Sequence, residues 1–200
     1  MTTFKSLYDR VMKIERGYDA DDQGAPAYCG INRRYHPSWA GWAILDKKQP
    51  KQGAFYPDLE IYVIKFYIDF WKPVRVDEIN SLPIAQLLVD MKTQHGAWAK
   101  VINAAKQGKS PFTAGLSNTF DTDTINWINN NPKTAYKAIA AARLNYVTNL
   151  KLSNEADREG IVNRAKYYVN LAAGYMGGNP AGTILVVMAL AFLFVQFQKP

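Results

Sequence analysis

Four acidic residues near the N-terminus have types and spacing suited to acid–base chemistry. Glu15 ends an apolar helical pattern, and Asp19, Asp21 and Asp22 follow it after Gly17. Glycoside hydrolysis uses two such carboxyl groups, one to protonate the leaving oxygen and one to activate water or attack the sugar. The segment is therefore a candidate catalytic site, and a solvated helix end is the alternative interpretation.

The position of Glu15 favours its protonated form. A carboxylate in the last turn of a helix faces the negative end of the helix dipole, and Val11 and Tyr18 are placed to give it partly apolar surroundings. Both effects raise a carboxyl pKa, which a general acid requires near neutral pH. Asp22 precedes Gln23-Gly24 and is the aspartate most typical of a turn, so the pattern leaves the choice of the second carboxylate open.

The elements that position these residues are predicted to be helices, with strands at most in the loop after Glu15. Apolar residues at helical spacing predict a first helix from Thr3 to Glu15, and Gly17 suits a left-handed C-terminal cap. Asp19 to Pro57 lacks periodicity and is rich in Gly, Pro, Asp and aromatic residues, which is typical of a long functional loop or a short hairpin. The fold class is therefore mainly α.

Five further helical segments are predicted after the loop. On the first, Pro57 to Trp71, an apolar face is shared by Ile61, Ile64, Ile68 and Trp71. The next runs from Leu82 to Gly108 and has a weak point at Gly96. The remaining predicted helices cover residues 121–130, 132–150 and 154–173.

Aromatic side chains are crowded into the loop region. An aromatic ring with a polar edge suits stacking on a sugar ring, because it offers an apolar face and a hydrogen-bonding group. Pinning a long loop onto the helices is the alternative role for each of them. The candidate substrate-binding residues are Tyr18, Tyr28, Trp42 and Trp71.

The string IERGYDADDQGAPAYCGI, Ile14 to Ile31, resembles the opening motif of glycoside hydrolase family 108. That family comprises lysozyme-like N-acetylmuramidases, also described as secretion activator proteins, and its opening glutamate is catalytic. The resemblance implies a lysozyme-like helical domain in which Glu15 acts on the β-1,4 bond between N-acetylmuramic acid and N-acetylglucosamine. Fainter similarity continues through Trp71 and Leu82 to Gly96. GIVNR, Gly160 to Arg164, resembles part of the peptidoglycan-binding region that normally follows.

The chain departs from the family pattern at several positions. The second glycine of the motif is Arg16, the paired glycines are Gly24-Ala25, the threonine position is Ala27, and the tryptophan of the C-terminal motif is Ile161. In the wider lysozyme superfamily a hydroxyl residue after the glutamate can position the hydrolytic water, which alanine cannot do. The second catalytic residue therefore stays open within the Asp19 to Asp22 group, with Asp19 and Asp22 as the candidates.

Composition limits the other kinds of site. A single cysteine and two distant histidines give no metal-ligand spacing, so no metal is expected and no cofactor is implied. Cys29 with His36 and His95 could form a thiol peptidase or amidase, but a buried small hydrophobe is the favoured role of Cys29.

The net charge of +7 suits anionic partners such as cell-wall polymer or phospholipid. Nucleic acid is not expected, because no nucleic-acid-binding motif accompanies the charge.

The two ends of the chain bear on its location. No long apolar run followed by small residues opens the sequence, so a cleavable signal peptide is not predicted. Residues 181–197 are almost wholly apolar and approach the about 20 residues that a membrane-spanning helix needs. We expect this tail to anchor the chain in the inner membrane, with a buried core helix as the alternative. Basic residues precede the tail in greater number than follow it, which would leave the main domain cytoplasmic.

The sequence thus predicts three regions. Residues 1–108 form a muramidase-like catalytic region, 109–176 a helical peptidoglycan-binding-like region, and 177–200 an apolar tail. The predicted function is that of a bacterial or phage lysozyme-type hydrolase acting at the cell wall, with peptidoglycan glycan strands as its partner and Glu15 as general acid. The alternative is a membrane-tethered, catalytically decayed protein that binds cell wall or serves as a scaffold.

Overall fold

A computed structural model describes residues 4–22, 24–150 and 155–175, apart from the side chains of residues 14, 155–157 and 173–175. In this part of the chain there are eight α-helices and one three-stranded sheet, which confirms the mainly α class. The chain divides into two compact units between Pro73 and Val74. The regional boundary expected at residue 108 lies inside the second unit.

The first unit contains a small sheet between its first two helices. Its elements are α1 (Phe4–Glu15), β1 (Tyr18–Asp22), β2 (Ala25–Tyr28), β3 (Ile31–Asn32), α2 (Gly41–Lys48), the short 3-10 turn Pro57–Leu59 and α3 (Glu60–Trp71). The strands pair in the order β1-β2-β3, and both pairings are antiparallel. The hairpin that the sequence allowed after the first helix is therefore present.

Aromatic packing between α1 and α3 forms part of the core of the first unit. Tyr8 contacts Tyr67 edge to face with centroids 6.1 Å apart, and Phe4 lies 5.7 Å from Trp71. The apolar face predicted for α3 was wrong in part: Trp71 is buried as predicted, but Ile61 is 67% and Ile68 49% exposed. The buried positions are Val63, Tyr67 and Trp71, which follow one another at four-residue spacing and so share one face of the helix.

The second unit is entirely helical in its described residues apart from connecting turns. Its helices are α4 (Leu82–Gln94), α5 (Trp98–Gln107), α6 (Thr122–Asn130), α7 (Pro132–Thr148) and α8 (Glu155–Tyr175). The Asp121 carboxylate caps α6 by accepting a 2.8 Å hydrogen bond from the Thr124 amide. Proline opens α7, where the missing N–H costs nothing. The break between α4 and α5 falls at residues 95–97, around the weak point predicted at Gly96.

A buried ion cluster ties α4, α7 and α8 together. The Asp90 carboxylate accepts from Arg143 Nη2 at 2.5 Å and from Arg164 Nε at 2.7 Å. Arg143 is fully buried, and its Nη2 also donates to Gln94 Oε1. Burial opposes ionisation of Asp90, but the Arg164 and Arg143 guanidinium groups outweigh it and hold the pKa of this carboxyl below its usual value. The cluster is a structural ion pair whose partners depend on one another.

None of the helices in the described residues combines the length and apolar character needed to cross a membrane. The tail predicted to do so, 181–197, lies outside those residues.

Replacing Asp90 with alanine is expected to destabilise the protein by about 3–5 kcal/mol, because two guanidinium groups lose their counter-ion and one of them is fully buried. Urea unfolding followed by circular dichroism measures the loss. The matched control is Asp69→Ala, which removes an exposed i,i+4 partner of Lys65 and is expected to cost less than about 1 kcal/mol. Equal losses in the two variants would contradict the role assigned to the cluster.

His95 is expected to make stability depend on pH. Burial, helped by the nearby Arg143 charge, lowers its pKa from 6.5 to about 4. The unfolded chain therefore binds this proton more readily, and stability is lost as pH falls from about 6.5 towards 4. Between pH 7 and pH 5 the loss should be about 2 kcal/mol, and His95→Phe should remove that part of the slope. Urea unfolding at each pH tests this, and an unchanged slope in the variant counts against it.

Candidate active site

Glu15 lies where the first helix meets the turn between β2 and β3. It is the last residue of α1, and its side chain is exposed. A Cβ placed on Gly30 would lie 3.2 Å from both Cβ and Cγ of Glu15, so the glutamate side chain rests directly against this glycine. The helix end and the hairpin turn therefore meet at the candidate catalytic residue.

Backbone contacts fix this junction. Gly17 has φ +110°, a backbone conformation that glycine adopts readily, and its carbonyl accepts a 2.8 Å hydrogen bond from the Cys29 amide. The Gly17 amide in turn lies 3.5 Å from Cys29 Sγ. Cys29 and Gly30 both have positive φ and connect the paired residues Tyr28 and Ile31, the pattern of a two-residue hairpin turn. The turn is thus held against the first residues after α1.

Tyr67 of α3 completes the contacts around Gly30. Its Oη donates a 2.7 Å hydrogen bond to the Cys29 carbonyl and would lie 2.8 Å from a Cβ on Gly30. The ring is only 4% exposed. Burial, followed by the negative charge of Glu15, raises the pKa of Tyr67 well above its usual value. Tyr67 is therefore a neutral hydroxyl beside the candidate acid, and the sequence reasoning did not identify it.

The two candidate second carboxylates have different surroundings. Asp19 is exposed, and its Oδ1 accepts from the Asp21 amide at 3.1 Å and from Gln52 Nε2 at 3.3 Å. Asp22 is half-buried, and its Oδ2 accepts from Asn32 Nδ2 at 3.1 Å. Asp22 also pairs with Ala25 at the turn that connects β1 to β2. Its position next to a turn agrees with the sequence prediction.

Asn32 is the second residue that sequence reasoning missed. It is buried, it pairs with Ala27 across β2 and β3, and Asp19 pairs with Ala27 on the other side. Paired residues on neighbouring strands point to the same face of a sheet. Asn32 therefore places a hydrogen-bonding amide beside Ala27 and directs it to the Asp22 carboxylate. The available signal was a polar residue two positions after the Cys29-Gly30 turn.

The aromatic candidates have packing partners in the structure. Tyr28 is 0%, Trp42 3% and Trp71 1% exposed, whereas Tyr18 is half-buried in β1. The Tyr28 ring stacks with Trp39 at 5.9 Å, and its Oη accepts a 2.8 Å hydrogen bond from the Tyr56 amide. Their role in binding sugar stays a prediction, and the structure adds that three of the four rings pack in the core.

The surroundings of Cys29 disfavour the thiolate that thiol chemistry requires. The Cys29 side chain is fully buried, and burial raises the pKa of its thiol. His36 packs edge to face against the Phe66 ring, with centroids 4.7 Å apart. Cys29 is thus the buried small residue that the sequence favoured. In the described residues, no three His, Cys, Asp or Glu side chains are grouped so that they could hold a metal ion.

Comparison with known proteins supports a carbohydrate-cleaving enzyme class for the first part of the chain. Residues 8–96 match the family described as Glycosyl hydrolase 108. This is the same family whose opening motif the segment from Ile14 to Ile31 resembles. No curated protein matches the chain. The family match ends at residue 96, and the peptidoglycan-binding role of residues 109–176 stays a prediction.

Substituting Gly30 tests the contact at the centre of the site. Gly30→Ala is expected to place a methyl group against Tyr67 Oη and the Glu15 side chain, costing about 1–3 kcal/mol from overpacking in addition to left-handed backbone strain. Gly53→Ala is the matched control, because Gly53 has φ +75° and no atom within 4 Å of an added Cβ. Urea unfolding compares the two, and equal losses would mean that the contact is unimportant.

Proposed function

We propose that the protein is a peptidoglycan hydrolase of the N-acetylmuramidase type, cleaving the β-1,4 bond between N-acetylmuramic acid and N-acetylglucosamine. The observation that carries the proposal is the position of Glu15 within the segment that matches the glycosyl hydrolase family. It ends a helix and rests on a hairpin turn. Glu15 donates its proton to the glycosidic oxygen, which then leaves as a neutral hydroxyl.

Asp22 is the better-supported second carboxylate. Asn32 binds its Oδ2 through a neutral amide, which holds the carboxylate in one orientation. The Asp19 carboxylate instead accepts hydrogen bonds from the Asp21 backbone amide and the Gln52 side chain. These bonds hold together β1 and the loop that contains Gln52. In the proposal, Asp22 takes the proton of the attacking water while the water oxygen bonds to the sugar carbon.

Asp22 acting as a general base corresponds to the inverting reaction, in which the two carboxyl groups are roughly 6.5–9.5 Å apart and the attacking water fits between them. Retaining enzymes instead separate these groups by about 5 Å and use the second carboxylate as the nucleophile.

The substrate and setting complete the proposal. The net charge of +7 suits association with acidic cell-wall polymer. The protein would act at the bacterial cell wall, with residues 109–176 contributing to peptidoglycan binding and residues 181–197 anchoring it in the inner membrane. A membrane-tethered binder without hydrolytic activity is the competing function, and the buried methyl group of Ala27 in place of a hydroxyl favours it.

Glu15→Gln is expected to reduce hydrolysis at least 100-fold, because the amide cannot donate the proton that the leaving oxygen needs. The loss of turbidity of purified cell walls measures the rate, and the release of reducing ends confirms that a glycosidic bond is cleaved. Glu60→Gln, an exposed glutamate in the first turn of α3, is the matched control and should keep wild-type activity. Full activity in Glu15→Gln sinks the assignment, and wall binding without reducing ends from the wild type favours the competing function.

Asp22→Asn and Asp19→Asn separate the two candidates for the second role. Each change replaces a carboxylate by an amide of the same shape. Asp22→Asn is expected to lower kcat by about 100-fold or more through loss of the general base, while Asp19→Asn lowers it by less than about tenfold. Both rates are measured on the same cell-wall substrate, with circular dichroism to verify folding. The reverse order would assign the role to Asp19.

A further inference from the structure

Tyr67 has one hydroxyl proton, and the structure accounts for it. The Oη–H donates to the Cys29 carbonyl at 2.7 Å, in a region where the ring is almost entirely buried. A tyrosine hydroxyl has a single donor and two acceptor lone pairs. Because this proton is donated to the Cys29 carbonyl, the tyrosine oxygen can only accept further hydrogen bonds through its lone pairs.

That oxygen borders the space occupied by the Glu15 side chain. The position of a Cβ on Gly30 lies 2.8 Å from Tyr67 Oη and 3.2 Å from Glu15 Cβ and Cγ, so both groups flank one side of the same glycine. A lone pair facing a carboxyl group accepts a hydrogen bond from its protonated form and repels its ionised form. A tyrosine oxygen placed beside a carboxyl group in this way favours the protonated form of that carboxyl.

Other charged and titratable groups surround the same point. Arg16 follows Glu15 directly, and its guanidinium stacks over the Phe55 ring at 3.8 Å. Tyr8 packs edge to face on Tyr67, and Cys29 lies in the turn. Burial, followed by the Glu60 carboxylate, raises the pKa of Tyr8 to about 12, and burial raises the pKa of the Cys29 thiol. Among the groups named here, Arg16 carries positive charge and Glu60 negative charge. The Arg16 charge opposes the effect of Tyr67.

We propose that Tyr67 is a positioning residue whose hydroxyl, with its proton bound to the Cys29 carbonyl, presents a lone pair to Glu15 and holds that carboxyl in its protonated form. The consequence for catalysis rests on the proposed function, in which Glu15 is the general acid. The effect on protonation is a property of the folded chain itself. After each proton transfer to the glycosidic oxygen, the same lone pair favours reprotonation of Glu15 from solvent.

The first measurement does not depend on catalysis. The full chain, labelled with 13C at the side-chain carboxyl of glutamate, is titrated by NMR, and Glu15→Gln identifies the Glu15 signal among those of the five glutamates. In the wild type, the Glu15 signal should titrate at higher pH than the exposed Glu60. In Tyr67→Phe, its midpoint should fall by about one pH unit. A wild-type midpoint at or below that of Glu60, or an unchanged or raised midpoint in the variant, overturns the proposal.

The second measurement links the effect to the reaction. A general acid is active while protonated, so kcat/KM falls as pH rises through its titration. Tyr67→Phe should move this alkaline limb about one unit lower, giving roughly a tenfold loss at pH 7 and little loss at pH 5. Tyr8→Phe is the matched control, since it removes a buried hydroxyl from a ring in contact with Tyr67 and leaves the bond to Cys29 in place. An equal shift in both variants would indicate general loosening and overturn the proposal.

The two measurements distinguish this inference from the proposed function. If the chain releases no reducing ends but the Glu15 midpoint falls in Tyr67→Phe, the muramidase assignment fails and the role of Tyr67 stands. If Glu15→Gln abolishes hydrolysis while Tyr67→Phe leaves both the midpoint and the alkaline limb unchanged, the role of Tyr67 fails alone. Should Tyr67→Phe not fold, a wild-type Glu15 midpoint at or below that of Glu60 still overturns the proposal.

Discussion

Three parts of the first unit meet around Gly30, at the position that a Cβ atom would occupy in any other residue. The end of α1 brings Glu15 to this position, α3 brings the Tyr67 hydroxyl, and the hairpin turn supplies Gly30 itself. A methyl group there would overlap the tyrosine oxygen. Close approach of two elements to one glycine is therefore the constraint on which the geometry of the candidate acid depends.

The small sheet holds the polar groups in a fixed order. Asn32 links the last strand to Asp22 of the first through two contacts, one to the carbonyl and one to the carboxylate. Buried polar groups are costly unless they are hydrogen-bonded, and a satisfied network in turn selects one arrangement. The same amide thus stabilises the strand pairing and orients a candidate catalytic group, so structure and proposed mechanism share one interaction.

The second unit depends on a different kind of interaction. Its apolar helix faces pack as periodicity predicts, but a fully buried Arg143 is joined to Asp90, which also binds Arg164. Such a cluster contributes little net stability compared with an apolar core, yet each member becomes costly once its partner is removed. The cluster therefore specifies how α4, α7 and α8 meet. Gly160 to Arg164, the segment with family resemblance after residue 109, includes one of its members.

The sequence alone determined the helices of the second unit, the first helix with its glycine at the end, and Glu15 as the candidate acid, because these follow from local periodicity, capping and a short motif. It did not determine which face of α3 is buried, because Ile61 was predicted to face the core and is exposed, whereas Tyr67 is buried there. It also could not identify Tyr67 or Asn32 as neighbours of the candidate site. Tyr67 reaches it through a contact with Cys29, 38 positions earlier in the chain, and Asn32 through strand pairing that brings it to Asp22. Only tertiary packing and strand register decide which of these side chains share a surface.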